Sequence, residues 1–314
     1  MRNNKLVINY YLEQINKKIE MLQDRNKTRD EKLIIAFRGE AREHKGSELQ
    51  PSIFRSDRER SMEQYINDLM LDYNLMDNSI DEEIIKAIYA QHYLAKSRLL
   101  DVTFNVLPSI YFSCEKYPEK DGIVYIFAFP ETYSPNSRFI RDYYSDILSG
   151  EEYIYPKNFK VITEGFFHDR IIAQDGGFIL FAGKKFHPID EIYYERIYID
   201  KKDKDGIKNE LKKLFSIDRY SIYPEIEEKV DRIKDILWNH KQYDWTCDIK
   251  GEIDSAINRI AYEYRVKKSD GSAEKINRWL RKEKEDLISY IKKTEDTEDN
   301  KKYIEDKFKF IELV

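Results

Sequence analysis

Leu33-Ile34-Ile35-Ala36-Phe37-Arg38-Gly39-Glu40 is the stretch on which the fold turns. Five successive apolar residues, two of them β-branched, predict a short buried strand over Leu33–Arg38. The run ends in a cation, a glycine and an acid. A charge inside an apolar run is costly to bury unless it is paired. Arg38 therefore marks either a structural ion pair with Glu40 or Asp101, or a ligand site. Its guanidinium fork suits a diphosphate or a carboxylate, and Gly39 would let a ligand approach the backbone. The same pattern recurs at Leu49-Gln50-Pro51-Ser52-Ile53-Phe54-Arg55, at Gln91-His92-Tyr93, over Ser97–Thr103 and over Arg170–Phe178. Several such runs in one chain point to a shared polar pocket.

Outward from this strand, helix and strand signals mix without regular βαβ alternation. That favours an α+β fold: a mixed or antiparallel sheet with packed helices and a helical C-terminal extension. Ile8, Tyr11, Leu12, Ile15, Ile19 and Leu22 recur at helical spacing. Met62 to Tyr73, Ile84 to Tyr89 and Phe139 to Leu148 give further stripes, the last stopped by Gly150. Between them, Asp77–Asp81 reads as a break, with Ser79 or Asp81 as helix cap. Gly122–Phe129 and Ile192–Ile199 read as strands. Ile171–Ala173 and Phe178–Ala182 flank Asp175-Gly176-Gly177 as a tight hairpin. Helical stripes follow at Ile207, Leu211 and Leu214, and at Ile226, Val230, Ile233 and Leu237. Beyond residue 250 the chain is highly charged, with stripes at Ile253, Ile257, Ile260 and Tyr264 and at Ile276, Leu280, Leu287 and Ile291; Glu295–Asn300 is an acidic break. The expected organisation is an N-terminal helix (1–30), an α+β domain (31–240) and a charged helical extension (241–314).

Composition narrows the function. The 314 residues are 41% hydrophobic and 36% charged, with 54 basic against 59 acidic residues and a net charge of −5. A global basic field of the kind that binds nucleic acid is excluded. Cys114 and Cys247 form neither a disulfide framework nor a zinc pattern, which suits a reducing cytoplasm. His44, His168, His187 and His240 show no metal-ligand spacing, so no metal is expected. No Walker-type or dinucleotide glycine fingerprint is present. With no apolar run near the ~20 residues of a membrane span, no membrane is expected.

These blocks resemble the FRG domain, a bacterial family named after its Phe-Arg-Gly motif. Phe37-Arg38-Gly39 matches the name, and Leu49–Arg55 looks like the second block. Gln91–Thr103 is similar to the central block, Gln-His-Tyr-Gly-Leu-Pro-Thr-Arg-Leu-Leu-Asp-Trp-Thr, whose Gly, Pro and Trp stand here as Leu94, Lys96 and Val102. Arg170, Gln174, Gly176 and Phe178 resemble the late block, and the similarity extends over residues 33–240. The family resemblance implies a role in antiphage defence or toxicity. A strand ending in aromatic-Arg-Gly also looks like the opening of arginine-type ADP-ribosyltransferases. That likeness implies an enzyme that uses NAD as substrate and a protein or nucleic acid as acceptor.

On that likeness Arg38 and Gly39 would hold the NAD diphosphate. Ser97, Arg98 and Thr103 would contact phosphate or ribose, and Gln91 a ribose hydroxyl or an amide. His92 would act as a base or phosphate donor, unless it is a core histidine held by a carboxylate. Arg98 and Asp101, three apart, also suit a structural salt bridge, and Ser97 and Thr103 also suit capping. Gln174 stands where a late acid is expected. An amide cannot act as a base or stabilise an oxocarbenium ion by charge. The second expectation is therefore a sensor that binds a nucleotide or phage component without turnover, with the C-terminal helices contacting a protein partner.

Overall fold

The computed structural model describes residues 6–26, 31–73, 75, 82–163, 169–225, 228, 230–231, 233–234, 248–270, 273–294 and 298–313. The Asp77–Asp81 break, Cys247, His168, His240, and Ile226 and Leu237 of the expected stripe lie outside these residues. The chain divides into two compact units, residues 1–237 and 238–314.

The first unit is built on six antiparallel strands: β1 Leu33–Glu40, β2 Leu99–Thr103, β3 Gly122–Pro130, β4 Phe159–Ile162, β5 Gly176–Phe181 and β6 Tyr194–Ile199, in the order β4-β5-β2-β1-β3-β6. Its helices are α1 Val7–Asn26, α2 Asp57–Ser61, α3 Glu63–Asp72, α4 Glu83–Leu94, α5 Val106–Glu115, α6 Ser137–Ser149, α7 Asp169–Ala173, α8 Lys204–Phe215 and α9 Arg219–Ile222. The fold is α+β, as its sequence pattern implies.

Strand alternation distributes the core. Val124, Ile126 and Ala128 of β3 face one side with Phe37, packing against α1, α5 and α8. Ile123, Tyr125, Phe127 and Phe129 face the other with Ala36, Leu100, Val102 and Ile179, under Leu49, Ile53 and Phe54. Buried on both faces, β3 reads as a continuous apolar run rather than an alternating one. A third cluster joins α4 and α6 to Leu99, Ile162, Phe178 and Leu180. The N-terminal helix is part of this core: Ile8, Tyr11 and Ile15 are buried, and the Glu210 carboxylate of α8 accepts from the free Val7 and Ile8 amides at 2.9 and 2.8 Å.

The expected hairpin at Asp175 is absent. Asp169–Ala173 is helical, Gln174 N donates to Arg170 O at 3.0 Å, and Asp175 turns into β5 at φ 50°. Three apolar residues are too short a run for periodicity to separate helix from strand. Gly177 serves packing, since a Cβ there would lie 2.4 Å from Ile162 O.

The second unit contains α10 Ile249–Asp270, α11 Ala273–Thr294 and α12 Glu298–Leu313. Both expected stripes are buried and meet Ile304, Phe308 and Ile311 of α12. Residues 298–300 of the acidic break begin that helix, where acids favour the N-terminal dipole. No helix among the described residues is long and apolar enough to cross a membrane.

Candidate functional site

β1 pairs with β3, and β2 with β5, along their whole lengths, yet β1 and β2 share the single position Phe37↔Thr103. Beyond it the sheet parts. A pocket of about 580 Å³ occupies the parting, lined from β1, β2, the 50–55 loop, the ends of α4 and α5, α7 and Tyr223.

Arg38 stands at the parting. Its Nη1 donates to the Asp101 carbonyl at 2.7 Å, replacing a ladder bond that the separated strands do not make. Its Nε donates to Glu40 Oε1 at 2.9 Å, and Asp101 Oδ2 lies 3.9 Å from Nη1. Burial opposes its charge, but Glu40 and Asp101 outweigh that and raise its pKa. Nη2 makes no hydrogen bond to the described residues. The side chain is 23% exposed and lines the pocket.

Gly39 has a different reason from the one expected. A Cβ there would stand 1.8 Å from the Ser109 carbonyl oxygen of α5. The glycine admits the helix backbone. α5 is held further by Lys204, whose buried Nζ donates to Ala41 O at 2.7 Å, Lys116 O at 3.0 Å and Tyr117 O at 3.1 Å. Desolvation lowers its pKa. Three carbonyls thus tie the end of β1 to the end of α5 along the pocket wall.

At the end of α4, Gln91 is fixed at both ends of its amide. Its Nε2 donates to Asp101 Oδ2 at 2.7 Å and its Oε1 accepts from Ser97 Oγ at 2.9 Å. The helix closes with Ala95 in the left-handed region at φ 51°, and Ser52 Oγ donates to the Ala95 carbonyl. His92 Nδ1 lies 3.2 Å from Arg170 Nη1. An arginine only donates, so Nδ1 is placed to accept from it, and Nε2 lies 3.6 Å from Glu225 Oε1. Arg170 also stacks over Tyr223 at 4.7 Å, and Tyr223 donates to Glu115 Oε2 at 3.0 Å.

Arg38, Gly39, Gln91, His92, Thr103 and Gln174 all line the pocket. Thr103 Oγ1 donates to Gln174 O at 2.6 Å, and Gln174 Nε2 to Ile222 O at 3.2 Å, so both side chains brace the wall. Two expected residues stand elsewhere. Ser97 is fully buried and acts through Gln91. Arg98 donates through Nε to Glu63 Oε1 at 2.7 Å and through Nη2 to Glu63 Oε2, while its Nη1 meets the carbonyls of Phe181, Ala182 and Gly183. Its partner is thus Glu63, not Asp101, and its buried guanidinium lies outside the pocket lining.

Spacing missed Glu40 as a pocket acid, and Arg42, Arg55 and Glu115. The signal for Arg55 and Glu40 was their place within the quoted blocks. Arg42 lies 4.3 Å over the Tyr117 ring, and Arg55 Nη2 donates to Gln50 O at 3.3 Å. Among the described residues neither has a carboxylate within ion-pair distance. Arg38, Arg42, Arg55, Lys116 and Arg170 face Glu40, Asp101 and Glu115 around the pocket, a local cationic excess in an acidic chain.

Residues 34–122 match the family model of the FRG domain. The chain therefore carries an FRG domain, built from β1, β2 and the elements between and just after them. The late block and the segment to Tyr223, which complete the pocket, lie beyond the matched residues. No curated protein and no solved structure matches the chain. The likeness to ADP-ribosyltransferases accordingly rests on the aromatic-Arg-Gly strand end alone.

Proposed function

We propose that the pocket of the FRG domain binds a nucleotide through its diphosphate, with NAD as ligand and substrate. The observation that carries this reading is the cationic excess around a pocket of about 580 Å³, a size suited to a nucleotide. Nη2 of Arg38, with Arg42 and Arg55, supplies fork donors for phosphate oxygens. Gln91, held by Asp101 and Ser97, presents a fixed amide. His92, with its Nδ1 taken by Arg170, serves to orient that arginine. An NAD-consuming or ADP-ribosyl-transferring activity, with protein or nucleic acid as acceptor, is what the strand-end likeness to ADP-ribosyltransferases implies, and a role in bacterial antiphage defence or toxicity is what the FRG resemblance implies.

The test is NAD consumption by the purified chain beside Arg38→Ala, with products and added mass on protein or nucleic acid read by mass spectrometry. Arg38-dependent loss of NAD supports the enzyme. Absence of both NAD binding and turnover would sink the reading.

A sensor is the second reading, favoured by one observation. His92, Arg170 and Gln174 couple the pocket to Ile222–Glu225, a stretch that precedes the helical unit in the chain. Binding of NAD without its consumption would select the sensor.

A further inference from the structure

We infer that Glu40 is the pocket's acceptor for a sugar hydroxyl, which makes the ligand a phosphorylated sugar or nucleotide rather than a bare polyphosphate. The inference rests on the nucleotide reading and specifies which part of the ligand meets which side chain.

Arg38 and Glu40 lie two apart on β1, so alternation places both on one face of the strand. Their ion pair uses Glu40 Oε1 alone. Glu40 Oε2 has no hydrogen-bond partner among the described residues, although the side chain is only 9% exposed. A buried carboxylate oxygen without a donor is destabilising. Beside it, Tyr125 pairs with Arg38 across the β1–β3 ladder, is fully buried, and also carries an unpartnered hydroxyl. Such orphans in an otherwise well-bonded wall call for an explanation.

One pocket-lining stretch of β1 thus holds two unspent groups of opposite kind, Nη2 of Arg38 and a covered acceptor oxygen of Glu40. A phosphate or carboxylate alone satisfies the first and is repelled by the second. An amine alone satisfies the second and is repelled by the first. A ligand that carries an anion beside hydroxyl donors satisfies both, and a sugar phosphate is that chemistry. Glu40 lines the pocket, and the inference requires its side chain to shift on ligand binding so that the oxygen now covered meets the hydroxyl.

The experiment is calorimetric titration of the full chain, wild type and Glu40→Gln, with NAD and with inorganic pyrophosphate. A hydrogen bond to a charged acceptor corresponds to roughly a tenfold to hundredfold change in affinity. The substitution is expected to weaken NAD by at least about tenfold on that basis and to leave pyrophosphate unchanged or tighter, because a repelling charge is removed. Equal weakening of both ligands overturns the inference, since Glu40 would then act only by holding Arg38. No change in either overturns it as well, as does a wild type that binds pyrophosphate but not NAD. A wild type that binds neither ligand defeats the nucleotide reading itself. If Glu40→Gln does not fold, the wild type is titrated with ADP-ribose and with its deoxyribose analogues. One analogue should lose about tenfold, and equal affinities for all would overturn the assignment.

Discussion

Arg38 and Arg98 are both arginines beside apolar strand residues, and both pair with a glutamate, yet they differ in what remains unspent. Arg98 is 5% exposed, Glu63 takes Nε and Nη2, and three carbonyls converge on Nη1. Tyr144 donates to the same Glu63 at 3.1 Å and accepts from Asn67 at 3.1 Å. Arg38 has a comparable carboxylate but keeps Nη2, and its glutamate keeps an oxygen. Arg98 is buried away from the pocket, whereas Arg38 is less buried, lines the pocket and leaves Nη2 unspent.

The sharpest way to break this comparison is at the cluster around Glu63. Arg98→Ala leaves Glu63 charged and buried, and should cost about 3–5 kcal/mol in chemical denaturation. Replacing Arg98 and Glu63 together by apolar residues of similar volume should recover most of that loss. If Arg98→Ala is as mild as an exposed substitution, the cluster around Glu63 is not structural.

Gly39→Ala comes next. Its Cβ meets a helix backbone that cannot step aside, and overpacking of this kind costs about 1–3 kcal/mol. The lost stability should register as a lower midpoint with unchanged slope. A fully stable variant would show that β1 and α5 separate more easily than their contact implies.

Arg38→Ala should cost less, about 1–2 kcal/mol, because removing the side chain lets pocket water reach Glu40 while the Asp101 carbonyl loses a charged donor. Nucleotide binding should nevertheless be lost. A destabilisation as large as that of Arg98→Ala would erase the distinction between the two arginines.

The smallest effect belongs to Tyr125→Phe, which removes an orphan hydroxyl and should change stability by less than about 1 kcal/mol at neutral pH, in either direction. Burial first, then the Glu40 charge, raises the Tyr125 pKa above its ordinary value of 10.0. The folded protein thus holds this proton more tightly than the unfolded chain. Its contribution is complete below pH 10 and is lost as pH rises beyond it. Alkaline denaturation of Tyr125→Phe should accordingly be less steep than that of wild type. Identical alkaline curves would show that burial and the Glu40 charge do not hold the Tyr125 proton.

Much of the fold was legible because burial imposes a period on the chain. The stripes of α1 and α4, most of those of α6 and α8, the continuous run of β3 and the two stripes of the helical unit coincide with buried faces, whereas Phe139 and Leu214 are exposed. Legibility failed where runs were short. Ile171–Ala173 is a helical turn and not a strand, and β4 spans only Phe159–Ile162. In the site, the apolar runs interrupted by polar residues located Arg38, Gln91, His92, Thr103 and Gln174 on one pocket. The same pattern also flagged Arg98, because a buried ion pair and a ligand-binding cation leave the same mark in a sequence.

The amino-acid sequence alone determined the α+β class, the strand that ends in Phe37-Arg38-Gly39 and the FRG kinship, since each depends on residues close together in the chain. Only the tertiary structure decided that Gly39 accommodates α5, that Glu63 consumes Arg98, and that Glu40 keeps a free oxygen. Those outcomes depend on partners distant in sequence: Gly39 meets Ser109, and Arg98 meets Glu63 and the carbonyls after β5. Whether a polar group is satisfied is a property of the folded neighbourhood, and no local period encodes it.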